Sequence, residues 1–141
     1  MLRLIGISLA GILIFLSSIH FYWGILGINP GNKVIPTEPG GKLLFIPSRF
    51  DSLMVGTGLA AFSILVLIKS NWIDFVLSYS IVEIGIWVVA GLFLLRAMGD
   101  FKYAGLTKKI NHTEFARMDN QFYTPLCILI GLMALSLNFL D

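Results

Sequence analysis

A chain of 141 residues that is 57% hydrophobic and 13% charged, with mean hydropathy +0.86, is too apolar for a soluble domain of its size. Its formal charge of +2 is small, and the positive residues sit at the borders of apolar runs, which excludes a nucleic-acid partner as their explanation. A single cysteine, Cys127, excludes an internal disulfide, a thiolate zinc site and a Cys-x-x-Cys pair, and with the last of these a quinone-linked thiol oxidase.

The first apolar run, Leu4–Leu26, is long enough to cross the hydrocarbon core, which takes roughly 20 helical residues. It follows Arg3 and ends in Phe21, Tyr22 and Trp23 with no small-x-small cleavage pattern, so it reads as a retained helix rather than a signal peptide. Asn29-Pro30-Gly31-Asn32 then marks a turn, and Pro36, Pro39, Gly40 and Gly41 keep the following stretch out of a helix. Leu43–Ile46 is a short apolar run suited to lie on the bilayer or to close over the bundle. Ser48-Arg49-Phe50-Asp51 has the spacing of a capping box, which makes Asp51 a cap and opens a second span over Phe50–Ile68. A tight turn near Lys69–Asp74 leads to the third run, Phe75–Leu95, interrupted by Glu83. Asn111-His112-Thr113-Glu114 has a cap pattern that would start a short amphipathic helix carrying Phe115, Met118 and Phe122. The last run, Pro125–Leu140, is short for a span, so the fourth helix is expected to start near Arg117 or Asp119 and kink at Pro125. The alternative makes Thr124 the N-cap and Pro125 the first helical residue.

The fold class that follows is an all-α membrane protein: one domain over residues 1–141, a compact bundle of four transmembrane helices at about 4–26, 50–68, 75–96 and 119–140. Two long loops, 28–49 and 97–118, lie on one face. Small residues recur at helical spacing along Gly6, Ala10, Leu13, Ser17, His20, Gly24 and Gly27, along Ser52, Gly56, Ala60 and Ser63, and along Tyr123, Cys127, Gly131, Ala134 and Asn138. Stripes of this kind let membrane helices approach closely. Eight of the ten Lys and Arg residues belong to the loop face, leaving Arg3 and Lys69 opposite. The positive-inside rule then puts both loops in the cytoplasm and both termini outside.

The loop ends of all four helices meet at one membrane surface, which would gather His20, Trp23, Arg96, Asp100, Tyr103, Asp119 and Tyr123. If the third helix continues past Arg96, Asp100 lies on the same face and pairs with it. In the functional reading His20, with Asp100 or Asp119, moves protons, while Arg96 holds a polar head beside Trp23, Tyr103 and Tyr123. In the structural reading Arg96 and its acid close a helix end, and the aromatics belong to an interface belt. Glu83 is an isolated intramembrane acid about 20 Å along the helix from Arg96, too far to pair. It faces the interior, is neutral, or lines a proton route.

The stretch Arg96-Ala97-Met98-Gly99-Asp100-Phe101-Lys102-Tyr103, with Phe115-Ala116-Arg117-Met118-Asp119 and Phe122-Tyr123-Thr124-Pro125-Leu126-Cys127, resembles the signature of a small bacterial four-helix integral-membrane family known only as a domain of unknown function. His20-Phe21-Tyr22-Trp23 with Ile35-Pro36 fits the same pattern. The resemblance implies four spans in a bacterial inner membrane and carries no activity, substrate or cofactor. No Walker loop, dinucleotide fingerprint or metal-ligand spacing occurs, so neither a metal nor a cofactor is expected. The expected partners are the bilayer and a lipophilic or lipid-like small molecule bound at the polar rim. Two alternatives stand beside this: a non-catalytic accessory subunit with a membrane-complex partner, and a small proton-coupled transporter using Glu83, expected as a homo-oligomer.

Overall fold

The computed structural model describes residues 1–140 and is helical, with four helices long and apolar enough to span a membrane. Helix α1 (Leu2–Leu26) ends at Gly27, whose φ of 67° lets its amide cap the Trp23 carbonyl. Helix α2 (Arg49–Lys69) begins with the capping box foreseen from its sequence. The Ser48 hydroxyl accepts from the Asp51 amide at 3.1 Å, and the Asp51 carboxylate accepts from the Ser48 amide at 2.8 Å. Helix α3 (Tyr79–Met98) starts four residues later than the apolar run does. Phe75–Leu77 stay outside it, and its 20 residues cover about 30 Å, the thickness of the hydrocarbon core.

The fourth span runs from Glu114 to Phe139, longer than the sequence reading gave it. It opens with α4 (Glu114–Met118), capped by the Thr113 hydroxyl, and closes with α5 (Thr124–Phe139). Between them Asp119–Tyr123 form a π-helical turn in which the Thr124 amide reaches back to the Asp119 carbonyl. Thr124 is therefore not an N-cap. Pro125 has no amide to donate, and the widened turn directly before it absorbs that break. Two residues five apart on a regular α-helix point about 140° away from each other. The π turn brings Asp119 and Thr124 onto one buried face instead.

Helices α1 and α2 form one tight pair, and α3 and α5 the other. The small stripes are the seams. Ser17 donates to the Gly56 carbonyl at 2.7 Å and Ser63 to the Ala10 carbonyl at 3.1 Å, both between α1 and α2. A Cβ on Gly56 would lie 3.3 Å from the Ser17 carbonyl oxygen and from the Phe21 ring, so only glycine keeps this spacing without displacement. The solid core fills the half of the bundle near the short turn, from Leu9 and Leu13 of α1 through Val66, Ile86 and Val89 to Ile130 and Leu137. The other half, toward the two long loops, is hollow, while an apolar groove of about 320 Å³ runs beside the short turn between α2 and residues 73–77.

The loops fold back over that hollow end. In the first, Thr37 bridges Leu43 in a small turn, Ile35 is buried, and Phe45 and Ile46 remain exposed. In the second, the amides of Gly99, Leu106 and Thr107 satisfy the carbonyls of Leu95, Ala97 and Met98, three of the last four of α3. Gly99 (φ 93°) and Gly105 (φ 80°) make this return possible by packing backbone against backbone.

Candidate functional site

The hollow half holds a cavity of about 480 Å³ between α1, α3 and α5. Leu16, Ile19, Phe93, Leu126 and Ile130 form its apolar wall. His20, Trp23, Arg96, Tyr123 and Cys127 line it as well, with Val34 from the first loop. A second cavity, of about 270 Å³, lies between the first loop, α1 and α2, and shares His20, Trp23 and Val34 with the first. A third, of about 240 Å³, lies between α2 and α3 and shares Phe93 and Arg96. Four of the rim residues singled out from the sequence thus converge on one chamber: His20, Trp23, Arg96 and Tyr123.

His20 stands edge-to-face with Trp23, ring centroids 5.1 Å apart, and neither imidazole nitrogen has a hydrogen-bond partner among the described residues. Tyr123 turns its ring to the cavity and packs on Phe115 at 5.9 Å, while its hydroxyl donates to the Lys33 carbonyl at 2.8 Å. One phenol therefore lines the chamber and ties the first loop across it.

Arg96 pairs with Asp119 and not with Asp100. Its Nη2 lies 2.9 Å from Asp119 Oδ1. The expected Arg96–Asp100 pair fails because α3 stops at Met98 and Gly99 turns the chain through positive φ, carrying Asp100 off the helix face. Asp100 instead closes its own loop. Its Oδ1 accepts from the amides of Lys102, Tyr103 and Ala104 at 3.0, 2.7 and 2.9 Å. Its slight burial pushes the carboxyl up, but these three amides outweigh that and hold it below the usual carboxylate range. Neither Asp100 nor Tyr103 lines the cavity, and Tyr103 packs its ring under the Lys102 ammonium at 4.9 Å.

Asp119 has no exposed surface, and both of its oxygens are occupied. Oδ1 takes Arg96; Oδ2 takes the Gly105 amide at 2.7 Å and Lys108 Nζ at 3.1 Å. Lys108 is itself buried and also donates to the Gly105 carbonyl and to the Asn120 side-chain oxygen. A carboxylate so held, fully buried and outside the cavity lining, orients its cations and does not face the chamber. Lys108 was not legible as a functional residue, since nothing in the Lys108-Lys109 pair shows which lysine turns inward. Arg96 Nη1 is buried with no acceptor, an omission that costs about 1–3 kcal/mol.

Glu83 lies far from this site. Its carboxylate takes no hydrogen bond from the described residues, while its backbone carbonyl accepts from the Asn138 amide at 3.3 Å. On the opposite face Arg3 donates to the Asn71 carbonyl and stacks on Trp72, and Lys69, buried, lies over the Tyr79 ring at 4.7 Å.

A family model described as a protein of unknown function, DUF3995, matches residues 13–134. The chain belongs to the DUF3995 family. No curated protein and no solved structure matches it. The part matched to DUF3995 contains every residue lining the main cavity, from Leu16 to Ile130, together with Lys108 and Asp119. With four apolar spans, this DUF3995 chain is a multi-pass integral membrane protein.

Proposed function

We propose that this protein binds a lipophilic or lipid-like small molecule in the chamber between α1, α3 and α5, at the cytoplasmic face of a bacterial inner membrane. The observation that carries the reading is the union of an apolar wall and a polar end in one cavity of about 480 Å³. That size and composition are usual for small-molecule sites, which place a few convergent polar groups in an apolar cleft. Arg96 and the unpartnered His20 supply the polar end, and Trp23 and Tyr123 supply amphipathic rings at the level of the head groups. The cytoplasmic assignment rests on the loop cations. Lys33, Lys42, Arg49, Lys102, Lys109 and Arg117 still outnumber Arg3 and Lys69 once Arg96 and Lys108 are given to Asp119.

The test is extraction of bound small molecules from purified protein, read by mass spectrometry, in the wild type and in Cys127→Trp. The indole would fill the chamber that Cys127 lines. A compound enriched with the wild type and lost from the folded variant supports the reading. Identical extracts from the two folded proteins overturn it and leave an accessory role as the better account.

A further inference from the structure

The charges around Asp119 do not balance within the protein. Arg96 and Lys108 bring two positive charges to a carboxylate that carries one negative charge. Lys108 is consumed: its side chain is 3% exposed and its ammonium has three oxygen partners. Arg96 is not. Among the described residues only its Nη2 is engaged, its buried Nη1 has no acceptor, and its side chain, 37% exposed, borders two of the cavities. An excess guanidinium at the boundary of the hydrocarbon is costly until an anion reaches it.

The acids among the described residues do not supply that anion, and Asp74 lies in the short turn on the opposite face. Asp100 is folded back onto its loop amides, Asp51 caps α2, and Glu114 pairs with its neighbour Arg117. Glu38 sits in the exposed turn of the first loop. Glu83 is about 20 Å away along α3.

The geometry points to a ligand that brings the missing charge: a singly charged anionic amphiphile, its carboxylate or phosphodiester head at Arg96 and its tail along Leu16, Ile19, Phe93, Leu126 and Ile130. This rests on the chamber being a binding site and adds the class of ligand. One negative charge neutralises the cluster, whereas a dianion would leave an uncompensated charge beside Asp119. Asp119 acts as a positioning residue, since its grip on Nη2 orients the guanidinium and leaves the exposed part of the Arg96 side chain for the head. His20, on the same cavity wall and without a partner, adds a donor.

Two reporters are built in. Trp23 and the single cysteine, Cys127, both line the chamber, and Trp72→Phe with Trp87→Phe leaves Trp23 as the only tryptophan. The protein, in phosphatidylcholine nanodiscs at mildly alkaline pH, is titrated with palmitate, with palmityl alcohol and with phosphatidylglycerol. Trp23 emission and protection of Cys127 from a maleimide are read. Palmitate or phosphatidylglycerol should bind about tenfold or more tighter than the alcohol, the difference a charge-assisted hydrogen bond makes. Whichever anion protects Cys127 identifies the head as carboxylate or phosphodiester. Arg96→Gln should bring that anion down to the level of the alcohol. Because this variant also strips Asp119 of a partner, the decision lies with the acid–alcohol comparison, which needs no change at Arg96. Equal affinity for palmitate, phosphatidylglycerol and the alcohol overturns the anionic ligand and leaves the chamber a binding site. No protection by any of the three overturns both.

Discussion

Replacing Asp119 with asparagine tests the centre of the loop face directly. The side chain keeps its shape and loses its charge, so Lys108 and Arg96 lose the carboxylate they share while the Gly105 amide keeps an acceptor. Removing one member of a buried ion pair costs about 3–5 kcal/mol, because the partner stays buried and charged. Lys108 bears most of this, since 3% of its side chain is exposed. Arg96, 37% exposed, can recover part of its loss from head groups or water. The lower end of the range, about 3 kcal/mol, is therefore the expectation, and it corresponds to a fall in Tm of roughly 10 °C for a chain of this length. The assay is thermal unfolding in detergent, with Asp119→Leu/Lys108→Met beside it. Removing both charges should restore part of the loss, as apolar replacements of buried pairs commonly do. A Tm for Asp119→Asn within roughly 2 °C of the wild type, or a double variant no more stable than the single one, would refute the claim that Asp119 anchors the loop face.

Three further outcomes follow from the same geometry. In Gly99→Ala the new Cβ would fall 1.8 Å from the Ala104 carbonyl oxygen at a φ of 93°, so the yield of folded protein should collapse, as measured by size-exclusion in detergent. Asp100 is held ionised in the fold below the usual carboxylate range, so its contribution is complete above the unfolded value near 4 and is lost as pH falls through the lower folded value. Melting curves of wild type and Asp100→Asn should therefore converge in acid and separate above about pH 5, and a constant gap across that window would contradict the assignment. Tyr123→Phe keeps the ring and removes the bond to the Lys33 carbonyl. It should cost about 1 kcal/mol in a Tm measurement and speed hydrogen exchange in the first loop, and an unchanged exchange pattern would show that the phenol is no tether.

The four spans were legible because a membrane helix announces itself by a run of apolar residues, and the capping box at Ser48 and Asp51 added a firm boundary. Hydropathy could not see where α3 begins, since Phe75–Leu77 are as apolar as the helix that follows. It could not see the π turn either. Pro125 signals a break in the hydrogen-bond ladder, but whether the chain answers with a kink, a cap or an inserted residue depends on what must be buried nearby. Here that residue is Asp119. The gathering of His20, Trp23, Arg96 and Tyr123 followed from counting helix ends on one face, which needs only alternating chain direction. Choosing Asp100 as the partner of Arg96 failed for the opposite reason. Helical spacing holds only while the helix lasts, and the glycine after Met98 ends it.

The residues Arg96 to Asp119 thereby divide into two kinds of work. Gly99, Asp100, Gly105 and Lys108 build the second loop: Gly99 satisfies a carbonyl at the end of α3, Asp100 the loop's own amides, and Gly105 and Lys108 the buried charge of Asp119. Arg96 and Asp119 belong to both tasks, since the bond that docks the loop also orients the guanidinium at the chamber. The chamber between α1, α3 and α5 lies at the end of the bundle where its polar groups are densest. Dispersion alone would favour collapse of that end. The first loop is held across it by a directional bond, Tyr123 to Lys33, which fixes a distance that apolar contacts would shorten. Loss of that bond should shrink the chamber before it unfolds the bundle, so Cys127 labelling should change at temperatures below the melting transition.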